Sequence, residues 1–421
     1  MKQIETIFFI LISTILFGQT EDRLDTIIQL GDDWKFEQAI ELLNQEINLT
    51  PENPELYYWL GRYSHYLVYD TRPFSFKSNK WSQEQVLNNF QKAVTLDPDY
   101  GDAKYFIAAE YGARSLEALK QANIEQYKKE LIDAKIWGGF PMHSIEYGRN
   151  VLKSCDTNSI LFVNGDAEYN IIQYVQNIEE YRKDVSVVVI ALLERPYYVK
   201  LLKDGIPGIM KPVPTTMNDN LIMEMHNYKW KENIVEIPIP EHYRQDSLNR
   251  DTLTCLKWKV KPDAGNNKLR SGTAILIDII KSNNWERPVQ FTQYGEFSQT
   301  GLNDYLQANA LTSRLMPFIV NGTEKEYDIS NFESIMFNPE NYKYYNDIKD
   351  NNQPRVSYLY GQISRRRILN YAIYSYKRNN VEKAKQSLRV ITELMPQETH
   401  PYSSDISNDI DDLREKLEDE K

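Results

Sequence analysis

Residues 159–193 read SILFV-NGDAE-YNIIQYVQNIEEYR-KD-VSVVVIALL. Ser159 to Val163 is a short apolar run without polar alternation, the pattern of a strand buried on both faces. Asn164-Gly165-Asp166 makes a turn, and Ala167 to Arg182 reads as an amphipathic helix. Val185 to Leu193 is a second, almost wholly apolar strand. Strand, helix, strand with apolar strands is a parallel βαβ unit covered by helices on both faces. Further on, Thr273 to Lys281 (TAILIDIIK) reads as a helix leading into a third strand, Pro288 to Thr292 (PVQFT). Between them, residues 204–267 are irregular with one short strand, Val235 to Ile239. This segment is read as an insertion over one edge of the sheet.

In open α/β sheets, ligands bind where loops leave the carboxyl ends of the strands and helix N-termini offer free N–H groups. The candidate ligand site is therefore Asn164, Gly165, Asp166 and Glu168, at the end of the first strand. Asp166 and Glu168 have the chemistry to hold a divalent metal or to accept hydrogen bonds from sugar hydroxyls. The structural reading of the same residues is that Asp166 caps the helix and Glu168 complements its dipole. Glu194, after the second strand, falls at the same end of the sheet. The loop Asn283 to Pro288 (NNWERP) enters the third strand at its amino end, so Trp285 and Arg287 are expected to pack and pair structurally.

The chain up to about Cys155 reads as helices, and two segments share a spacing. Ala39, Leu43, Leu49 and Pro51 recur as Val86, Phe90, Leu96 and Pro98, with offsets of four, ten and twelve. Tyr57, Leu60 and Gly61 lie on the first helix of the second unit, preceding that segment. Small residues where paired helices cross and a Pro ending the second helix form the tetratricopeptide pattern. Asp70 to Lys80 (DTRPFSFKSNK) has the polar, turn-rich character of an insertion in the second unit. A degenerate third unit runs from Asp102 through Ala134, closed by WGGFP. The offsets return in Ala384, Leu388, Leu394 and Pro396, followed by an acidic helix from about Ser407 to Glu420 that is read as a cap. Tyr58, Arg62 and His65 fall where such repeats expose a concave, partner-binding face.

At the N-terminus, Lys2 precedes the apolar run Ile7 to Phe17 and then Gly18-Gln19. Eleven helical residues cover roughly 16 Å, about half of a bilayer's hydrocarbon core. The segment is expected to be a signal peptide cleaved near Gly18-Gln19. No Cys follows it, and no later stretch is apolar enough to span a membrane. The expected divisions are 1–18 signal peptide, 19–142 helical repeats, 143–345 Rossmann-like α/β domain, and 346–421 C-terminal repeat and cap. The fold class is accordingly α+α/β, with a small parallel sheet between tetratricopeptide-like ends.

The chain has 421 residues, 26% charged and 41% hydrophobic, with a formal charge of −11. That balance excludes disorder, and it argues against nucleic acid or anionic lipid as a partner. Two cysteines, Cys155 and Cys255, cannot build a disulfide framework or a structural zinc site. His143, His226 and His242 lack neighbours that would mark them as catalytic. No nucleophile elbow, phosphate-binding loop or dinucleotide fingerprint is present, so neither catalytic residues, nor a metal, nor a cofactor is assigned.

Four segments together resemble the soluble C-terminal region of bacterial envelope proteins of glycosyltransferase family 117, relatives of protein O-mannosyltransferases. SILFVNGDAEYNIIQYVQNIEEYRKDVSVVVIALLERPYY is similar to their ILFTNGDND-like motif and the strand after it. TAILIDIIKSNNWERPVQF, GLNDYLQANALTSRLMPF and ELMPQETHPY follow in the same order as their counterparts. The membrane-embedded half, where that family's chemistry resides, has no counterpart here. Asn164, Gly165 and Asp166 match the motif, whereas Ala167, Glu168, Tyr169 and Glu194 depart from it. The resemblance therefore implies the fold without the transferase activity. The expected function is that of an exported, non-enzymatic binding or scaffold protein of a Gram-negative envelope, in the periplasm or at the cell surface. Its repeats would hold a protein or peptide, as an accessory to glycan or glycoprotein assembly. The alternative is a glycan-binding protein or glycan-acting enzyme using Asp166 and Glu168.

Overall fold

The computed structural model describes residues 23–68, 84–241, 254–263, 267–292, 301–348 and 353–418. The expected signal peptide and the Asp70–Lys80 insertion lie outside the described residues.

The N-terminal part is a run of antiparallel helices: α1 (23–32), α2 (Phe36–Leu49), α3 (Pro54–Val68), α4 (Glu84–Leu96), α5 (Gly101–Lys120), α6 (Ile124–Ile136) and α7 (Met142–Lys153). Each second helix buries one stripe, such as Ala39 and Leu43 in α2 or Val86, Phe90 and Ala93 in α4. Gly61 lets α3 approach α4: a Cβ there would lie 2.7 Å from the Phe90 ring. Helices α2 and α4 stop two residues before Pro51 and Pro98, because a proline disfavours helical backbone at the residue before it.

One turn recurs between paired helices. Trp34 N–H donates to Gly31 O at 3.0 Å and Lys35 N–H to Leu30 O at 2.9 Å. The same two bonds are made by Ala122 and Asn123 between α5 and α6, and by Asn379 and Asn380 in the C-terminal hairpin. Trp34, Ala122 and Asn379 all have left-handed backbone, as this helix-terminating motif requires.

The α/β part is built on strands β1 (Ile160–Val163) and β2 (Ser186–Val189) joined by α8 (Asp166–Asn177). The helix is shorter than the sequence pattern suggests, because Glu180 and Arg182 take positive φ and Gln176 Nε2 ties down Arg182 O and Val185 O, both at 2.9 Å. The second strand ends at Val189, whose N–H is donated to Tyr198 Oη at 2.8 Å, and a 3-10 turn over Ile190–Leu192 follows. After α9 (Pro196–Asp204) and α10 (Asp219–Met223) come β3 (Tyr228–Lys229), β4 (Asn233–Pro238), β5 (Cys255–Val260) and β6 (Lys268–Leu269). These strands form two small antiparallel pairs. The insertion runs from the β2 edge, where Ser186 Oγ donates to Lys211 O, across α11 (Ser271–Asn283). On α11, Asp278 accepts from Thr215 Oγ1 at 2.5 Å and from Thr216 N–H at 3.0 Å.

Strand β7 (Val289–Thr292) completes a parallel trio with β1 in the middle. Beyond it, β8 (Leu306–Asn309) and β9 (Thr312–Leu315) add an antiparallel pair, giving the order β2-β1-β7-β9-β8. The sheet is therefore mixed rather than wholly parallel. Its extra hairpin turns through Ala310, with φ +54°, where no Gly or Asn stands at the tip to announce it.

After α12 (Ile329–Met336), helices α13 (Arg355–Lys377) and α14 (Val381–Leu394) pair, and α15 (Ser404–Glu418) buries Ile406, Ile410, Leu413 and Leu417 against them. Helix α13 also packs on α5 and α7, with the Tyr360 ring stacked on Tyr147 at 4.2 Å. One hydrophobic core runs from Tyr58 through the sheet to Leu417, beside a smaller cluster at Ile27, Ala39, Leu43 and Tyr63. Helix α8 forms the seam, packed on α5, α6 and α7. There Tyr127 Oη donates to Gln173 Oε1 at 2.8 Å and accepts from Asn177 Nδ2 at 2.9 Å.

Candidate functional site

Strands β2 and β7 flank β1, and the chain leaves β1 toward β2 but leaves β7 toward β9. The crevice of such a sheet opens between the carboxyl ends of β1 and β7. Asn164 and Gly165 sit there, half-buried. Asn164 O accepts from Ala191 N–H at 3.2 Å. Gly165, with extended backbone, is the residue preceding α8, and the space beside it is open.

Asp166 is exposed and is the first residue of α8 rather than its cap; among the described residues it bonds only the adjacent Ala167 N–H, at 2.9 Å. Its neighbours across the cleft are Tyr105 and Ala108 of α5, Gly139, Phe140 and Val356. The cavity there is about 10 Å³, the room one water needs.

Glu168 faces the other way. It is 1% exposed, between α7 and the sheet. Tyr147 Oη donates to one carboxyl oxygen at 2.8 Å and Thr292 Oγ1 to the other at 2.7 Å. Burial pushes its pKa up to about 7, although the two hydroxyls pull it back toward the ordinary range. Glu194 is exposed and packs its Cγ on Gly272, in the first turn of α11. Right-handed crossovers put α8 and α11 on opposite faces of the sheet. The three carboxylates thus share one end of the sheet without converging. Among the described residues no group of three His, Cys, Asp or Glu is placed to hold a metal.

Asn170, one turn after Asp166, escapes sequence reasoning. It is 2% exposed and lines the same cleft, with Oδ1 unbonded among the described residues. A Cβ at Gly112 of α5 would lie 1.9 Å from its Nδ2. Nothing in the local sequence marks either residue, because their relation exists only where α5 crosses α8.

The expectation that Tyr58, Arg62 and His65 offer an exposed concave face is corrected. Tyr58 is 4% exposed and packs among Trp59, Phe90, Tyr100 and Phe106. His65, 7% exposed, pairs with the buried carboxylate of Glu110 on α5. Arg62 is half-buried, donates to Tyr58 Oη at 3.2 Å and lies over the Trp59 ring. The spacing identifies one helix face, but α5 covers that face. The two thiols are free, and burial pushes that of Cys155 up to about 12.

At the amino end of the strands, Arg287 is wholly engaged. It donates to Asn158 O at 2.8 Å, Ser159 O at 3.0 Å, Pro212 O at 3.1 Å and Ser186 Oγ at 2.7 Å. Trp285 Nε1 donates to Pro238 O at 2.9 Å.

Residues 144–253 and 231–334 match the family model described as TMEM260-associated domain 2. The matched residues run from α7 into α12 and hold three of the four segments that carried the glycosyltransferase-like resemblance, which they fit loosely; ELMPQETHPY lies beyond them. No curated protein and no solved structure matches the chain. No described helix is long and apolar enough to cross a membrane.

Proposed function

We propose that this chain is an exported, non-enzymatic binding or scaffold protein of a Gram-negative envelope, in the periplasm or at the cell surface. Its helical hairpins are read as tetratricopeptide repeats that hold a protein or peptide partner. Its α/β unit is read as the counterpart of the soluble region of glycosyltransferase family 117, kept for assembly of glycans or glycoproteins rather than for catalysis.

The observation that carries this reading is the engagement of Glu168. Both of its oxygens accept hydroxyls of the protein itself, in a place solvent does not reach. A glycan-acting pair of carboxylates must face one ligand from two sides. Asp166 and Glu168 instead face different sides of α8, and the cavity at Asp166 takes one water. The recurring turn and the proline-terminated second helices support the repeat reading, and repeat arrays bind partners along extended concave surfaces.

The test is a thermal-shift comparison of the protein with its Asp166→Ala variant against Mg²⁺, Mn²⁺, Ca²⁺, simple sugars and nucleotide sugars. A ligand at a hundredfold over its dissociation constant adds roughly 2.7 kcal/mol of apparent stability. The scaffold reading expects no response that depends on Asp166, and expects cross-linking in intact cells to yield a discrete protein adduct. A shift present in the wild type and lost in Asp166→Ala overturns it.

A further inference from the structure

The turn between α1 and α2 carries an aromatic side chain for which the turn has no use. Trp34 holds left-handed backbone, φ +61°, at the position filled by Ala122 (φ +55°) and Asn379 (φ +59°) in the two equivalent turns. Gly or Asn meets that requirement best, and a bulky side chain is strained there. Nor does the indole belong to the core. Trp34 is 79% exposed, the most exposed large hydrophobic among the described residues. Strain and exposure at one residue point to a role at the surface.

Trp34 continues into a strip of rings. Its centroid lies 5.7 Å from that of Phe36, and Phe36 stacks on the exposed Tyr66 at 6.0 Å and 22°. Phe36 also stacks on buried Tyr63, and the Arg62 guanidinium lies 5.8 Å from the Tyr66 ring, so packing holds the platform in place. In the chain next to these rings, Asp32 at the end of α1 and Glu37 in the first turn of α2 are exposed and make no hydrogen bond or ion pair among the described residues. Asp33, by contrast, is engaged by Gln29 and Lys35.

We infer that Trp34, Phe36 and Tyr66, with the carboxylates of Asp32 and Glu37, bind a neutral glycan. A pyranose ring presents a face of C–H groups that packs on an aromatic ring, and an edge of hydroxyls that donate to carboxylates. The charges of Asp32 and Glu37 repel phosphorylated or uronic glycans, whereas that of Asp33 is matched by Lys35. A stable protein interface covers about 800 Å² on each partner, more than three rings provide at about 150–250 Å² each when fully buried. The site is remote in the chain from Asp166 and does not depend on the scaffold reading, since a glycan held at Trp34 leaves Asp166 indifferent.

Titration calorimetry of the full-length protein with mannohexaose, cellohexaose, isomaltohexaose and a galacturonate oligomer tests the inference, beside the Trp34→Ala and Trp34→Phe variants. The turn tolerates Ala, as Ala122 shows, so Trp34→Ala keeps the fold, and circular dichroism checks this. At least one neutral oligosaccharide is expected to saturate the wild type, bind Trp34→Ala at least about tenfold more weakly, and be partly retained by Trp34→Phe. Silence from every neutral oligosaccharide at millimolar concentration, equal binding by Trp34→Ala, or preference for galacturonate overturns it.

Discussion

The Tyr147 hydroxyl donates to the Glu168 carboxyl at 2.8 Å, while the Tyr147 ring stacks on Tyr360 at 4.2 Å. One side chain on α7 thus joins the first turn of α8 to the C-terminal hairpin. Thr292, the last residue of β7, closes the arrangement from the sheet side. Glu168 therefore sits where the helical array, the sheet and the C-terminal helices meet.

Stability should fall as this carboxyl ionises. Its folded pKa, about 7, lies above the ordinary value of 4.5, so the folded state holds the proton more tightly. The contribution is fully present below about pH 4.5 and is lost as pH rises through 7, by up to roughly 3 kcal/mol. Glu168→Gln keeps both hydrogen-bonding positions and should remove this slope, melting higher than the wild type at pH 8. Parallel melting curves at pH 5 and pH 8 that leave the slope unchanged would refute the assignment.

Gly112 is predicted to tolerate no side chain. In Gly112→Ala the new methyl meets Asn170 Nδ2, and overpacking of this kind costs about 1–3 kcal/mol. Adding Asn170→Ala should restore much of the loss. Denaturant titrations of the two single variants and the double variant measure the coupling, and simple additivity would count against the contact.

Removing the Asp166 carboxylate should matter little to folding. Gly165 precedes the helix, and Asp166 contributes only a favourable charge near its N-terminus, at most about 1 kcal/mol. A larger drop in Asp166→Ala, read by urea unfolding, would show that it supports more than this geometry displays.

Arg287 is the opposite case. Its substitution by Met strips hydrogen bonds from three carbonyls and one hydroxyl around the amino ends of β1 and β2. The expected loss is about 2–4 kcal/mol, with Arg287→Lys recovering only part because an ammonium cannot reproduce the guanidinium fork. Guanidinium chloride midpoints for both variants decide it, and a midpoint within error of the wild type would contradict the clamp.

The elements most legible in the sequence were those with local signatures. The apolar runs at Ile160 and Val187, the stripes of α2 and α4, and the prolines at 51, 98 and 396 all act through neighbours a few residues away. The hairpin Leu306–Leu315 was not legible, because Ala310 takes left-handed backbone without the Gly or Asn that normally announces it. In the candidate site, the placement of Asn164 and Gly165 at the end of β1 follows from the strand pattern. The burial of Glu168 does not, since its two partners lie 21 and 124 residues away.

From composition and periodicity alone follow the helical ends, the apolar parallel strands between them, and the turn that opens α8. These are consequences of side-chain periods of 3.6 and 2 residues, which every short segment carries within itself. Which face of a helix meets water is a different quantity. Tyr58 and His65 share a face with every mark of a surface until α5 crosses it, and Glu168 is one residue among many acids until Tyr147 and Thr292 enclose it. Burial is set by which distant segment arrives to cover a face, and that is decided only when the whole core has closed.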